Sequence, residues 1–226
     1  MNDVFFRPSF RPTGPATRCG GRHGTNPRPP CLAVTGGIAC GKSAFGRMLA
    51  ELGAEVADAD EIVHQLQLPG QPLATAIRDA FGSECILPDG GVDRPALARR
   101  VFGDPDQLEK LNRLSHPLVR EHLDAWRREP TGAWARACLI PLLFETGWES
   151  DWDGTVCVTC TPETQLRRLM GRGLDADAAR KRLAAQLPPE EKAARADIVI
   201  RNDGSLDDLR AAARCLRDRI LETQHR

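Results

Sequence analysis

Between an apolar run at residues 31–34 and a helical repeat that starts near Ala44, the chain reads Gly36-Gly37-Ile38-Ala39-Cys40-Gly41-Lys42-Ser43. Every fixed position of GxxxxGK[ST] is filled, in the strand-then-helix setting that gives the pattern its meaning. Few features constrain a fold more tightly, because the loop needs a buried strand to launch it and a helix N-terminus to complete it. Its glycines permit positive φ and close backbone approach, so that successive N–H groups converge on an anion. The helix beginning near Lys42 adds the positive end of its dipole. Gly37, Ala39, Cys40, Gly41 and Ala44 are therefore expected to line a nucleotide's phosphates. Lys42 reaches the β- and γ-phosphates, and the Ser43 hydroxyl ligates Mg²⁺. The Cys40 backbone serves the loop whatever its side chain, although a thiol that titrates low at a helix start is open to oxidation.

The remaining pattern suits an α/β sheet. Apolar runs at 31–34, 54–57, 137–140, 155–159 and 198–200 predict five parallel strands. Helical spacing fills 44–52, 162–172, 175–194 and 205–222, and the stretch from about 60 to 128 is largely helical with turn signals at 68–70 and 88–91. Such alternation gives a parallel sheet covered on both faces, with ligands beyond the carboxyl ends of its strands.

Composition narrows the function classes. The formal charge is zero, with five arginines and one acid in residues 1–30, which leaves −4 for the rest. That sign excludes the broad basic footprint of a nucleic-acid binder. No run approaches the roughly 20 apolar residues of a membrane span. Residues 1–30, rich in Pro, Gly and Arg, are expected to form a disordered extension outside the fold. Cys157 and Cys160 make a CxxC without a second ligand pair, so structural zinc is not expected. A reduced, cytoplasmic protein with packed thiols is the expectation.

The next chemistry lies at the end of the second strand, in Asp58-Ala59-Asp60. Transfer of a phosphoryl group to a hydroxyl needs a carboxylate that takes or orients the hydroxyl proton. Acids at that place also serve as N-caps, and both duties remain open from the residues alone. No Asn-Lys-x-Asp guanine motif occurs, and the 137–140 run meets Pro141 rather than a metal-binding acid. Both absences favour a kinase over a nucleotide-dependent switch.

Residues 32–43, with Asp58-Ala59-Asp60, resemble the dephospho-coenzyme A kinase family. The likeness continues through Phe81-Gly82, Asp89-Gly90, Arg94, Val101-Phe102, His116-Pro117-Leu118 and residues 141–145. It ends with Gln165, Arg168, Arg172, residues 196–200 and Asn202-Asp203-Gly204. The resemblance implies a P-loop kinase domain over 31–215, with a helical substrate subdomain at about 60–128, a lid at about 168–195 and a helix end and tail at 216–226. It implies transfer from ATP to the 3′-hydroxyl of the ribose of dephospho-CoA, with Mg²⁺. Asp60, Lys42 and Arg168 would be catalytic, Arg172 and Asn202 ATP-binding, and Asp58, Arg94 and His116 substrate-binding. The protein would act as a monomer or weak homo-oligomer, without nucleic acid or membrane. Ala39 and Cys40 depart from the family's usual Gly-Ser, and Ala44 from its usual Thr. A kinase of nucleoside monophosphates or another small metabolite shares the fold and loop and is the alternative.

Overall fold

A computed structural model describes residues 4–8, 10, 28–101, 103–184 and 186–224. Most of the extension expected over 1–30 lies outside the described residues. The chain divides into two compact units, one of residues 1–57 and 130–226, the other of residues 58–129.

The first unit is built on a sheet of six strands, not five. These are β1 (Val4–Phe6), β2 (Cys31–Gly36), β3 (Glu55–Asp58), β4 (Arg136–Leu139), β5 (Gly154–Thr159) and β6 (Ile198–Arg201), in the order β1-β6-β5-β2-β4-β3. Strand β2 pairs in parallel with β4 and β5, and β5 with β6. The added strand β1 pairs antiparallel to β6, with Val4 opposite Ile200. Val4, Phe6 and Phe10 pack on the core, which gives this short apolar segment a reason to leave water.

Helices α1 (Lys42–Glu51), α6 (Pro162–Met170), α7 (Ala176–Ala184), α8 (Pro189–Arg195) and α9 (Leu206–Gln224) belong to this unit. The helical spacing over 175–194 is split in two, because the adjacent Pro188 and Pro189 lack the N–H donors that an unbroken helix needs. Strand β2 is fully buried along its length, as a central strand covered on both faces must be. Its neighbours in the core include Phe45, Leu49, Leu139, Val156, Val158 and Ile198.

The second unit is helical: α2 (Ala59–Leu66), α3 (Pro72–Phe81), α4 (Arg94–Val101) and α5 (Pro105–Arg128). Leu73, Ile77, Phe81, Leu97, Val119 and Leu123 are among its buried side chains. Asp104 accepts from the N–H groups of Asp106 and Gln107 to start α5. Pro117 lies inside that helix rather than at its end. His116 is thus a mid-helix residue.

One buried ion pair braces the end of β4. Lys192 of α8, fully buried, pairs with Glu145 at 2.8 Å and donates to the Pro141 carbonyl at 2.8 Å. The Thr35 hydroxyl, from β2, donates to the same carbonyl at 3.3 Å. Lys192→Ala strands the Glu145 carboxylate and leaves a void, whereas Glu145 retains some solvent. The expected loss is about 2–4 kcal/mol, or roughly 5–10 °C in Tm for a chain of this size. Thermal unfolding followed by circular dichroism checks it, and a change under 1 °C would show that the pair contributes nothing.

Candidate active site

The phosphate loop leaves the carboxyl end of β2, the strand between β5 and β4. Glycine is required there for two separate reasons. A Cβ on Gly36 would stand 2.3 Å from the Val158 carbonyl oxygen, which is fixed in the sheet. Gly41, the N-cap of α1, has φ 99°, and a Cβ there would stand 2.2 Å from the Asn202 amide. Ala39 has φ 61°, the only positive φ outside glycine among the described residues. An alanine in that region costs on the order of 1 kcal/mol, a cost that glycine would not bear.

Three side chains from distant parts of the chain hold the loop by its carbonyls. Gln165 Nε2 donates to Ile38 O at 2.8 Å. Arg168 donates to Ala39 O at 3.3 Å, Cys40 O at 3.5 Å and Asn202 O at 2.9 Å. Asn202 Nδ2 donates to Cys40 O at 2.7 Å. A planar trans peptide points its C=O and its N–H in opposite directions. Holding the Ile38 and Cys40 carbonyls from outside therefore turns the N–H groups of Ala39 and Gly41 the other way, into the loop. The Ile38 N–H is itself taken by Gln186 Oε1 at 3.2 Å.

Helix α1 begins inside this loop with no acid in its first turn, and glycine at its N-cap has no side chain to offer. The contrast with α2 is informative. There Asp58 accepts from the Asp60 N–H at 3.0 Å, and Asp60 and Glu61 occupy the first turn. Helix α2 is thus served by its own acids, while α1 keeps its positive end for an external anion. Lys42 and Ala44 are half-buried and Ser43 is exposed.

The remaining candidates divide between the two units. Asp58, Asp60, Arg94 and His116 stand in the second unit. The hydrogen bond from Asp60 assigns the N-cap of α2 to Asp58, leaving the exposed Asp60 carboxylate out of that duty. Arg94 opens α4 and is exposed. Burial, with Arg120 nearby, holds the His116 imidazole below its ordinary pKa, so it is neutral at pH 7. In the first unit, α6 ends at Met170. Arg172 is exposed in the following turn, beyond the end of the helix that carries Arg168.

Gln165, Gln186 and Cys160 complete the loop's surroundings and are absent from the sequence-derived site. Gln165 stood among the resembling landmarks, and that was its one signal; the spacing of Gln186 and Cys160 offers none. The Asp203 carboxylate, beside Asn202, feels burial that would raise its pKa. Hydrogen bonds from the Thr161 N–H and the Thr164 and Thr161 hydroxyls, with Arg168 nearby, outweigh burial and hold it below the usual range.

This geometry agrees with what the chain is similar to. The dephospho-CoA kinase family model matches residues 30–208. The chain belongs to the dephospho-CoA kinase family. A dephospho-CoA kinase of Symbiobacterium thermophilum is 46% identical over 185 residues, which cover 80% of this chain and 77% of that one. One from Streptomyces avermitilis is 44% identical over 182 residues, covering 79% and 87%. Among solved structures, TT1252 from Thermus thermophilus superposes with a TM-score of 0.73 at 37% identity, covering 85% of this chain and 98% of the other. The dephospho-CoA kinase from Campylobacter jejuni does so with a TM-score of 0.58 at 27% identity, covering 86% and 98%. As a member of that family the chain is an ATP-dependent kinase that transfers a phosphoryl group to a hydroxyl.

Proposed function

We propose that the chain transfers the γ-phosphoryl group of ATP to the 3′-hydroxyl of the ribose of dephospho-CoA, giving coenzyme A and ADP. The observation that carries this reading is the clamped loop: side chains fix the Ile38 and Cys40 carbonyls outward, so the N–H groups of Ala39 and Gly41 are preset for phosphate oxygens, while those of Ile38 and Cys40 are taken within the protein. The donors do not reorganise when the transferring group becomes more charged, which is where electrostatic catalysis gains most. Lys42 adds a positive charge at the β- and γ-phosphates. Asn202 holds the Cys40 carbonyl and lies where the resemblance puts an adenine contact. Arg168 secures the loop by its carbonyls and would meet the transferring phosphate only by leaving them as residues 168–195 close as a lid, with Arg172 adding charge.

On the acceptor side, Asp60 takes or orients the proton of the attacking hydroxyl. Asp58, by capping α2, sets the turn from which Asp60 projects, and with Arg94 and the neutral His116 it binds the acceptor. The family reaction also calls for Mg²⁺. No cluster of three His, Cys, Asp or Glu side chains suited to a metal occurs among the described residues. One hydroxyl at the loop fits a cation that keeps most of its waters and is held chiefly by phosphates. Ser43 would hold it, and it would neutralise charge on the transferring oxygens. No helix among the described residues is long and apolar enough to cross a membrane.

A coupled assay with ATP, Mg²⁺ and dephospho-CoA tests the proposal, with the new phosphate located by phosphorus NMR. The expected product carries it on the ribose 3′-oxygen. Robust turnover of nucleoside monophosphates without turnover of dephospho-CoA would reverse the assignment.

A further inference from the structure

Cys40 sits in the middle of the phosphate loop, and its Sγ lies 3.4 Å from Sγ of Cys160, a residue 120 positions away in the chain. Cys160 follows β5 directly and precedes Thr161, the N-cap of α6. Both cysteines are buried, at 0% and 4% exposure. The Cys40 thiol also fills the floor of the loop: a Cβ built on Gly37 would come within 3.1 Å of its sulfur.

We propose that Cys40 and Cys160 are a reversible oxidation site, closing to a disulfide under peroxide and thereby weakening nucleotide binding. Bond formation asks the two sulfurs to approach from 3.4 Å to about 2.05 Å, a movement of side-chain scale. The hydrogen bond between the thiols, and then burial, push the Cys40 thiol up. The same hydrogen bond holds Cys160 below the ordinary thiol value against the effect of burial, with help from the Arg168 charge. Of the two sulfurs, Cys160 is the one shifted toward the thiolate, with the Arg168 charge beside it.

The steps balance. The Cys160 thiolate attacks one oxygen of hydrogen peroxide; the O–O bond breaks, leaving a sulfenic acid and hydroxide. The Cys40 sulfur then attacks the Cys160 sulfur as its proton passes to hydroxide, the S–O bond breaks, and the released hydroxide is protonated to water. Two thiols and one peroxide give a disulfide and two waters. The thiols lose two electrons and the peroxide gains them.

The sequence pattern points to a different pair, Cys157 with Cys160. Cys157 lies within β5, fully buried, and burial pushes its thiol up to about 12. It is a poor partner beside Cys40. The effect on the nucleotide follows from the clamp. Asn202 and Arg168 already hold the Cys40 carbonyl, so the loop cannot follow its sulfur as a body. Closing the bond by rotation of the Cys40 side chain draws its sulfur from beneath Gly37 and removes the packing that supports the loop there.

The test treats the full chain with near-stoichiometric hydrogen peroxide, quenches, and maps linked cysteines by mass spectrometry of non-reduced digests. In parallel, a fluorescent ATP analogue is titrated before oxidation, after it, and after dithiothreitol. The expected results are a Cys40–Cys160 linkage, at least a tenfold weaker Kd, and recovery on reduction. Cys160→Ala, normalised to its own reduced form, keeps its Kd within twofold under the same peroxide. A Cys157–Cys160 linkage, no linkage, a linked form with unchanged Kd, or equal loss in Cys160→Ala would each overturn the proposal. The linkage in the wild-type chain decides the matter even where the variant folds poorly. Neither readout depends on which acceptor is phosphorylated.

Discussion

Asp60→Asn is expected to lower turnover of dephospho-CoA by about 10²–10⁴-fold, the range lost with a general base, while ATP binds within about twofold. The substitution keeps the size and shape of the side chain and removes only its charge and basicity. Its structural cost is small for a definite reason: Asp58, not Asp60, caps α2. Asp60 is an exposed first-turn residue, and losing its charge from the helix start costs a few tenths of a kcal/mol to about 1 kcal/mol. Steady-state rates, ATP-analogue titration and thermal unfolding together separate the effects. A large fall in kcat with unchanged Tm and nucleotide affinity marks the acid-base group. Near wild-type turnover would reduce Asp60 to one more acid at a helix start.

Much of the fold was legible because its signals are local. Strands β2, β4, β5 and β6 announce themselves as short apolar runs; the first three are buried on both faces, and β6 is buried at Ile198 and Ile200. The edge strand β1 did not, because Val4–Phe6 is only three residues long and sits in a Pro- and Arg-rich stretch. Its strand character comes from pairing with β6, nearly 200 residues away, and non-local pairing leaves no periodicity to read. The division of α7 from α8 was available in Pro188 and Pro189, whereas Pro117 shows the limit of that rule. Helix α5 continues through it, with packing along the helix outweighing one lost backbone bond.

The site divides in the same way. Gly36 to Ser43 carries a complete local pattern, so the cradle could be read directly. What shapes the cradle is not local. Gln165 and Arg168 meet the loop from α6, and Asn202 reaches it from beyond β6. Each of these residues has an ordinary local explanation: a helix face for the first two, a turn for the third. Only the sheet order, which sets β5 and β6 on one side of β2, brings them to the same carbonyls. The contact of Cys40 with Cys160 follows from that order too, and no local spacing announces it.

Lys42→Ala is expected to lower kcat by about 10²–10³-fold, the loss typical of one preorganised charge-stabilising donor, with a smaller weakening of ATP binding. The loop's shape does not rest on Lys42: Gln165, Arg168 and Asn202 hold the carbonyls before it, and Gly41 makes the turn. Alanine is the best helix former at the first position of α1, so stability should change by less than about 1 kcal/mol. The larger effect falls on kcat because negative charge shifts among the phosphoryl oxygens as the bond to ADP breaks, and a fixed cation favours that state over bound ATP. Lys42→Arg should recover little, since a planar fork cannot stand in for a compact ammonium in a cradle this closely packed. Coupled kinetics on the three proteins, with Tm measured alongside, distinguish the outcomes. A loss under threefold in kcat for Lys42→Ala would mean that the backbone N–H groups alone carry the phosphates, and that the lysine is an ordinary helix-start residue.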